Sequence, residues 1–600
     1  FQQQGKTNDL INLYKKAIEL NPDQPARVHK NLANALRQKD KQHDARELSI
    51  NLNEEIYFNI WNALNKINLD PLKQVNSNYP TDIKEKLAQK YFTNTSNYRI
   101  IKLTSLSAED QLFLEINNIS LANLELIQQD DAAQQETYLQ NFGHQLKIHP
   151  HRSRQNSNQV RFAIEFHQAM VETGYIYITC PITGKILSSD RSFLFVPGPA
   201  LGIYRFVSNE VFYLILGKAS YEKQLIYFPQ LELIIHLSNR ALNSEKVVNQ
   251  FKGFVVSHWE KILTYIESNH QKKVVATLGF HTTPSHHLLN ELSGIYRLYK
   301  MGMLNKVDKF LVGEHEYFGN LEQIFSEISA EKIARFSDAD KHKVTENILE
   351  NNYFALAIRD TFVVEELASL INQLSLKKCT SSFLATVKAA KKHFPLVFIT
   401  VRTGSNRAWI SQVEGLANLI EQLSSEYPNL GVIFDGVSQV DKHNSLLSHQ
   451  AYQEEAWIDR DRELVEEILA LISNSKVNVY NAIGAMMYES IVWADAADFY
   501  IAPFGGGLTK VTLITRKPGI IHTNHTVLKS RMTNNWYTGF QRENARVPIY
   551  VPGEHIVDIN SSEIKQLGRN SAIYDSYECD SKVIYDLAVK MTSRLNRKVI

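Results

Sequence analysis

The rhythm of apolar and polar residues changes twice along this chain. From about residue 160 come short aromatic and β-branched runs: "VRFAIEF" (160–166), "GYIYITC" (174–180), "SFLFVPG" (192–198), "GIYRFVS" (202–208), "VFYLILG" (211–217), "QLIYFP" (224–229) and "LELIIHL" (231–237). Gly, Pro, Asn and Ser separate them, which is the signal of strands and hairpins. A different pattern follows, in which apolar strands alternate with helical stretches. It starts with "KVVATLGF" (273–280), a helix from about 285 and "KVDKFLVG" (306–313), and then predicts only helices to about 375. A second alternation contains "PLVFITVR" (395–402), a helix at 411–426, "LGVIFDGV" (430–437), a helix at 460–474, "KVNVYNAI" (476–483) and a helix near 486–495. It continues through "ADFYIAPF" (497–504), "KPGIIHTN" (517–524) and "VPIYVPG" (547–553) to a last helix at 580–597. Strands alternating with helices predict parallel βαβ sheets. Two such units in tandem predict a crevice between them, the usual place for a nucleotide ligand.

The first 150 residues read as helical. "LYKKAIELNPDQP" (13–25) and "VHKNLANALRQKDKQHDARELSINLNEE" (28–55) resemble tetratricopeptide repeats, with Ala17, Pro22, Leu32, Ala33 and Ala45 where that helix pair needs small residues and a turn proline. The alternative is a plain helical hairpin packed on the next domain. One complete repeat is visible where about three are needed for stability, so further repeats are expected upstream. Five regions result: tetratricopeptide-like helices over 1–70, able to recruit another protein; a helical connector over 71–150; a β-rich subdomain over 151–240; and Rossmann-like units over 241–375 and 376–600.

Composition narrows the partners. Six hundred residues exceed one core, and 44% apolar residues suit a globular chain. With 65 basic and 64 acidic residues, the net charge of +1 provides no global field to attract nucleic acid or an anionic membrane. Cys180, Cys379 and Cys579 are an odd number without metal spacing, read as buried thiols in a reducing compartment. No run approaches eighteen apolar residues, so no integral membrane segment is expected and a cytoplasmic location is. The chain begins at Phe1 rather than Met, which leaves an upstream signal or anchor open.

Several familiar signatures are missing: the P-loop, the G-x-G-x-x-G fingerprint (Lys510 stands where its third glycine would be), H-E-x-x-H and G-x-S-x-G. Four stretches remain. "HTTPSHHLLNEL" (281–292) follows a strand and opens a helix; His287 and Glu291 at i,i+4 suit a base with its orienting carboxylate, a metal pair, or a helix-start hydrogen-bond cluster. "VFITVRTGSNRAW" (397–409) carries Arg402 and Arg407, which either clamp a diphosphate or bridge domains. "VIFDGVSQVD" (432–441) puts Asp435 at a strand end, to meet a sugar hydroxyl or to cap a turn. Glu489 precedes the glycine turn of "ADFYIAPFGGGLTK" (497–510), where it either holds ribose hydroxyls or sits on a solvated face. Gly505, Gly506, Gly507 and Thr509 either cradle phosphate or form a tight turn with no ligand, in which glycine would serve a positive φ. The D-x-D triplets Asp338–Asp340 and Asp459–Asp461 lie in polar helical stretches and read as solvated surface, so no metal is expected.

The order of these elements resembles glycosyltransferase family 61. "HHLLNEL" (286–292) matches its H-x-L-L-x-x-L helix start, Arg402 and Arg407 its strand-plus-arginine element, and "ADFYIAPFGGGLT" its A-D-x-x-I-G-P-H-G-A-G-L-T turn. The resemblance spans about 275–525, and the last motif is its most specific part. It implies a GT-B pair of Rossmann-like domains that transfers sugar from a nucleotide sugar to a saccharide or protein hydroxyl with inversion, without a cofactor. His286 or His287 would be the base, with Glu291 beside it. Arg402, Arg407, Asp435, Glu489, Gly505 to Gly507 and Thr509 would face the donor. The chain departs from the family at Phe504 for the turn histidine, Gly506 for alanine, His287 for tryptophan, Asn290 for an acidic residue and Gly294 for arginine. A nucleotide-sugar epimerase or hydrolase of the same fold, and a non-catalytic tetratricopeptide scaffold with a degenerate transferase domain, are the competing expectations.

Overall fold

The computed structural model describes residues 85, 89–90, 92–94, 96–129, 132–148, 165–195, 201–216, 223–238, 243–337, 342–358, 360, 362–403, 407–440, 449–473, 477–532, 542–559 and 572–596. The tetratricopeptide-like segment and the first D-x-D triplet lie outside the described residues.

Strand β1 (Arg99–Lys102) opens the described architecture, followed by the hairpin of β2 (Ile176–Thr179) and β3 (Ile186–Ser189). Strands β4 (Ser192–Phe195), β5 (Leu201–Val207), β6 (Val211–Leu216), β7 (Lys223–Phe228) and β8 (Leu233–His236) form an antiparallel meander, and β1 joins its far edge parallel to β8. These strands take up most of the aromatic and β-branched runs, and two expectations are corrected. The connector read as helical supplies β1 from "RIIK", a run too short to show a period of two. The end of "VRFAIEF" is helical, within Glu165–Thr173, whose His167, Ala169, Met170 and Val171 are buried.

Two parallel sheets follow. The first holds β9 (Lys273–Leu278), β10 (Lys309–Gly313), β11 (Ile333–Phe336) and β12 (Tyr353–Ala357) in the order β11-β10-β9-β12. Strands β11 and β12 fall in the region expected to be helical; "IARF" is polar enough, and "YFALA" alanine-rich enough, to hide a buried strand. The second holds β13 (Leu396–Thr400), β14 (Gly431–Asp435), β15 (Asn478–Asn481), β16 (Phe499–Pro503), β17 (Gly519–His522) and β18 (Ile549–Tyr550) in the order β15-β14-β13-β16-β17-β18. Counted within the sheet, that is 3-2-1-4-5-6, the doubly wound dinucleotide-fold order, and the first sheet is its 3-2-1-4 part. A final antiparallel pair, β19 (Ile556–Ile559) and β20 (Ser576–Cys579), closes the fold with the helix Ser581–Asn596.

The second sheet is buried on both faces, as parallel sheets are. Phe398, Ile433, Tyr500 and Ala502 enter one apolar cluster, while Val397, Ile399, Val432, Phe434, Phe499 and Ile501 enter another on the opposite face. The first cluster runs on through Leu288, Ile371 and Trp493 into the first parallel sheet and the β-rich unit. The helix Glu365–Lys378 lies in that shared core and packs on Met487–Ala496. No helix among the described residues is long and apolar enough to cross a membrane.

Candidate functional site

In each parallel sheet the strand order reverses beside the first strand, and chain leaving the carboxyl ends there diverges to leave a crevice. In the second sheet this point lies between β13 and β16, which puts Arg402 next to the glycine turn. Arg402 Nη1 donates to the Phe504 carbonyl at 3.2 Å. Its Nη2 lies 2.2 Å from the place a Gly505 Cβ would take, so glycine is what lets the guanidinium lie against the turn. A Cβ on Gly506 would meet nothing within 4 Å, and one on Gly507 only the Thr400 methyl at 3.4 Å. None of the three glycines is among those with positive φ. The turn therefore does not need glycine for positive φ.

Arg407 reaches the same place from a left-handed backbone (φ +54°), with its guanidinium 5.9 Å from both the Phe504 and Tyr574 rings. Beneath them His522, at the end of β17, is buried and its pKa is pushed down to about 3, mainly by burial and then by the nearby Arg402 charge. His522 Nδ1 is hydrogen-bonded to the Tyr577 hydroxyl at 2.7 Å, and its ring meets Trp409 edge-on at 5.3 Å. The sequence reading missed His522, Trp409 and Tyr577; a polar residue ending the apolar run "GIIH" was the available signal.

Thr509 begins a π-helical segment, Thr509–Ile514, and its hydroxyl donates to the Gly506 carbonyl at 2.7 Å, tying the turn to the helix. Such segments are uncommon and concentrate at functional sites. Lys510 stands where a dinucleotide fingerprint would have its third glycine. It is buried, and its ammonium donates to Asp435 Oδ1 (2.7 Å), Ser490 Oγ (2.8 Å) and Ser438 Oγ (3.1 Å). Asp435, fully buried, also accepts from Ser490 Oγ at 2.7 Å. The structure thus gives Asp435 a buried ion pair, neither of the partners foreseen for it. Glu489 is half-buried and accepts the Met486 N–H at 3.1 Å, as the third residue of its own helix.

The second D-x-D triplet needs a correction. Asp461 is buried rather than solvated, accepting from Thr403 Oγ1 at 2.7 Å and the Val437 N–H at 3.0 Å. Residues two apart on a helix point to opposite sides, so Asp459 stays in solvent while Asp461 turns onto the end of β14. Burial pushes its carboxyl up, against those hydrogen bonds.

In the first sheet the corresponding point follows β9. Gly279 has φ +77°, and a Cβ there would lie 2.8 Å from the Gly313 carbonyl oxygen, so only glycine fits. Glu291 is buried and accepts the Gly279 N–H (2.8 Å), the Phe280 N–H (3.3 Å) and His287 Nδ1–H (2.7 Å). His287 is also fully buried, stacked 6.0 Å from the Phe318 ring, and its Nε2 has no hydrogen-bond partner among the described residues. His286 is exposed, with Nδ1 2.7 Å from Asn290 Oδ1 and its ring stacked on His281 at 5.2 Å. Here too the helix carries a π-helical segment, His287–Leu292. The i,i+4 spacing therefore builds two pairs: an outer His286–Asn290 and an inner His287–Glu291. Among the described residues, no group of three or more His, Cys, Asp or Glu is arranged to hold a metal.

No family model and no curated protein matches the chain. Solved structures similar to it include Escherichia coli ADP-heptose lipopolysaccharide heptosyltransferase II, at 9% identity and a TM-score of 0.31, covering 54% of this chain and 99% of that one. A glycosyl transferase family 9 protein from Veillonella parvula matches at 10% identity and a TM-score of 0.30, over 54% of this chain and 97% of its own. UDP-GlcNAc 2-epimerase from Methanocaldococcus jannaschii matches at 11% identity and 0.23, over 59% and 84%.

Proposed function

We propose that this chain is a GT-B glycosyltransferase that passes a sugar from a nucleotide-sugar donor to a saccharide or protein hydroxyl, with inversion and without a metal. The observation that carries the reading is the switch point of the six-stranded sheet. There an arginine side chain lies against a glycine turn whose middle residue opens onto empty space. Bare backbone N–H groups and guanidinium groups are what a leaving diphosphate requires. The resemblance of "ADFYIAPFGGGLT" to the family 61 turn supports the same reading.

In this proposal the donor diphosphate lies on Gly506 and Gly507, with Arg402 and Arg407 countering its charge and Thr509 fixing the turn. Asp435 is left out of the donor set, because its partner is Lys510. Glu489 stays in it as the candidate for the ribose hydroxyls. On the acceptor side His286 takes the hydroxyl proton on Nε2 while the acceptor oxygen attacks the anomeric carbon; the bond from that carbon to the diphosphate breaks, and the nucleoside diphosphate leaves. His287 and Glu291 hold the turn from which His286 projects.

The test is a thermal-shift screen against nucleoside diphosphates and nucleotide sugars. A bound donor raises the melting temperature by mass action, by about 2.7 kcal/mol of stability at a hundred times its Kd. A chain that no nucleotide stabilises at roughly millimolar concentration is not a nucleotide-sugar enzyme. Product analysis with and without an acceptor then separates transfer from epimerisation or hydrolysis, and EDTA is expected to leave transfer intact.

A further inference from the structure

Asn290 and Asp360 bind each other twice, through Asp360 N–H to the Asn290 carbonyl and Asn290 Nδ2 to the Asp360 carbonyl, both at 2.8 Å. The second of these fixes the side-chain amide, because a backbone carbonyl only accepts and so must face the NH2 group. The Asn290 oxygen is thereby turned toward His286 Nδ1, 2.7 Å away. An oxygen that only accepts demands a proton on Nδ1. Neutral His286 then carries its lone pair on Nε2, and the ring is exposed.

We infer that Asn290 is a positioning residue that locks His286 in the Nδ1–H tautomer, so that Nε2 is always ready to accept a proton. The Asp360 backbone carbonyl sets the amide, the amide sets the tautomer, and the tautomer leaves the basic lone pair on Nε2 of an exposed residue. This is the logic by which a third group orients a catalytic base, here built from a neutral amide instead of a carboxylate. Asparagine differs from aspartate in one useful way: it also donates, and so ties the base to the carboxyl end of β12, the strand beside β9 at the switch point. The inference rests on the proposed role of His286 as base, but its structural half is testable without any activity.

The experiment is nitrogen NMR on the chain labelled with [15N]histidine, with the His286 signals assigned by loss in His286→Gln. The wild type is expected to show a protonated Nδ1 and a bare Nε2 for neutral His286. Asn290→Leu removes the acceptor, and the tautomer should move toward Nε2–H. Asn290→Asp restores an acceptor and should restore Nδ1–H, which guards against a merely misfolded leucine variant. A His286 tautomer unchanged in Asn290→Leu, or Nε2–H already in the wild type, overturns the inference whatever the chain catalyses. Once a transfer assay exists, Asn290→Leu should lower kcat at least tenfold with donor KM unchanged, and equal loss in both parameters would show a structural role only. A tautomer that moves as expected beside a His286→Gln variant of full activity would instead sink the base assignment and leave the positioning of the ring standing.

Discussion

Arg402 and Gly505 occupy each other's space: the guanidinium Nη2 lies 2.2 Å from where a Gly505 Cβ would be, while Nη1 donates to the carbonyl of Phe504 just before it. The arginine leaves one strand of the switch point and the glycine the other, so the contact joins the ends of β13 and β16.

This contact separates binding from folding. Gly505→Ala should push the Arg402 side chain off the turn, a change its flexible end can absorb. Arg402→Ala should cost donor binding roughly 2–5 kcal/mol, the range for truncating a charged group at a desolvated interface. Isothermal titration with a nucleoside diphosphate, read beside the melting temperature, checks both. If affinity holds in both variants while the melting temperature falls, the arginine is a strut and the donor lies elsewhere.

Gly506 is the sharper probe. Its Cβ would meet open space and its φ is not positive, so Gly506→Ala should fold with stability within about 0.5 kcal/mol of wild type. A diphosphate resting on the backbone would lose its place to the methyl, and affinity should fall at least tenfold. A Gly506→Ala chain that binds as tightly as wild type removes the cradle.

The two adjacent histidines should separate cleanly. His286→Ala is expected to lower turnover by about 10²–10⁴-fold with donor affinity unchanged, the usual worth of a general base. His287 is fully buried, and its loss opens a cavity and removes one of the hydrogen bonds that hold the Glu291 carboxylate. His287→Ala should therefore lower stability by about 1–3 kcal/mol, measured by urea denaturation. Reversal of these two phenotypes would make His287 the base.

Breaking one side of the buried Lys510–Asp435 pair should be costly. Lys510→Met strands a carboxylate in the core, and a loss of about 3–5 kcal/mol is expected. Adding Asp435→Asn should return part of it, since the uncompensated charge is gone. A single variant as stable as wild type would mean that water reaches Asp435.

His522 gives the fold a pH dependence of known sign. Its pKa is pushed down to about 3 by burial, so the folded chain keeps it neutral while the unfolded chain takes up a proton near pH 6.5. Stability from this group is fully present above that pH and falls as pH drops toward about 3, by a total on the order of 3–5 kcal/mol. Urea midpoints at pH 7 and pH 4.5 should differ less in His522→Asn than in wild type. Equal slopes would mean that other groups carry the acid sensitivity.

The sequence determined most of the elements, because a strand buried on both faces must be apolar throughout and a helix must repeat its apolar face. "PLVFITVR", "LGVIFDGV", "ADFYIAPF" and "KPGIIHTN" each became a strand of the second sheet, and their alternation with helices required a parallel sheet. It also placed Arg402, Arg407, His286 and the glycines at strand ends, where polar residues must stop an apolar run. Strands β1, β11 and β12 escaped it, since "RIIK" and "IARF" carry charged residues and "YFALA" is alanine-rich, so none stands out as a β-branched apolar run. What only the tertiary structure decided was which strand ends meet. Strand order put Arg402 beside Gly505, 103 positions along the chain, and Asp435 beside Lys510, 75 positions along. No local pattern encodes such pairs, because they come from how β13, β14 and β16 lie side by side. The same holds for the histidines: spacing put His286 over Asn290 and His287 over Glu291 alike, but only packing buried one pair and left the other's ring in solvent.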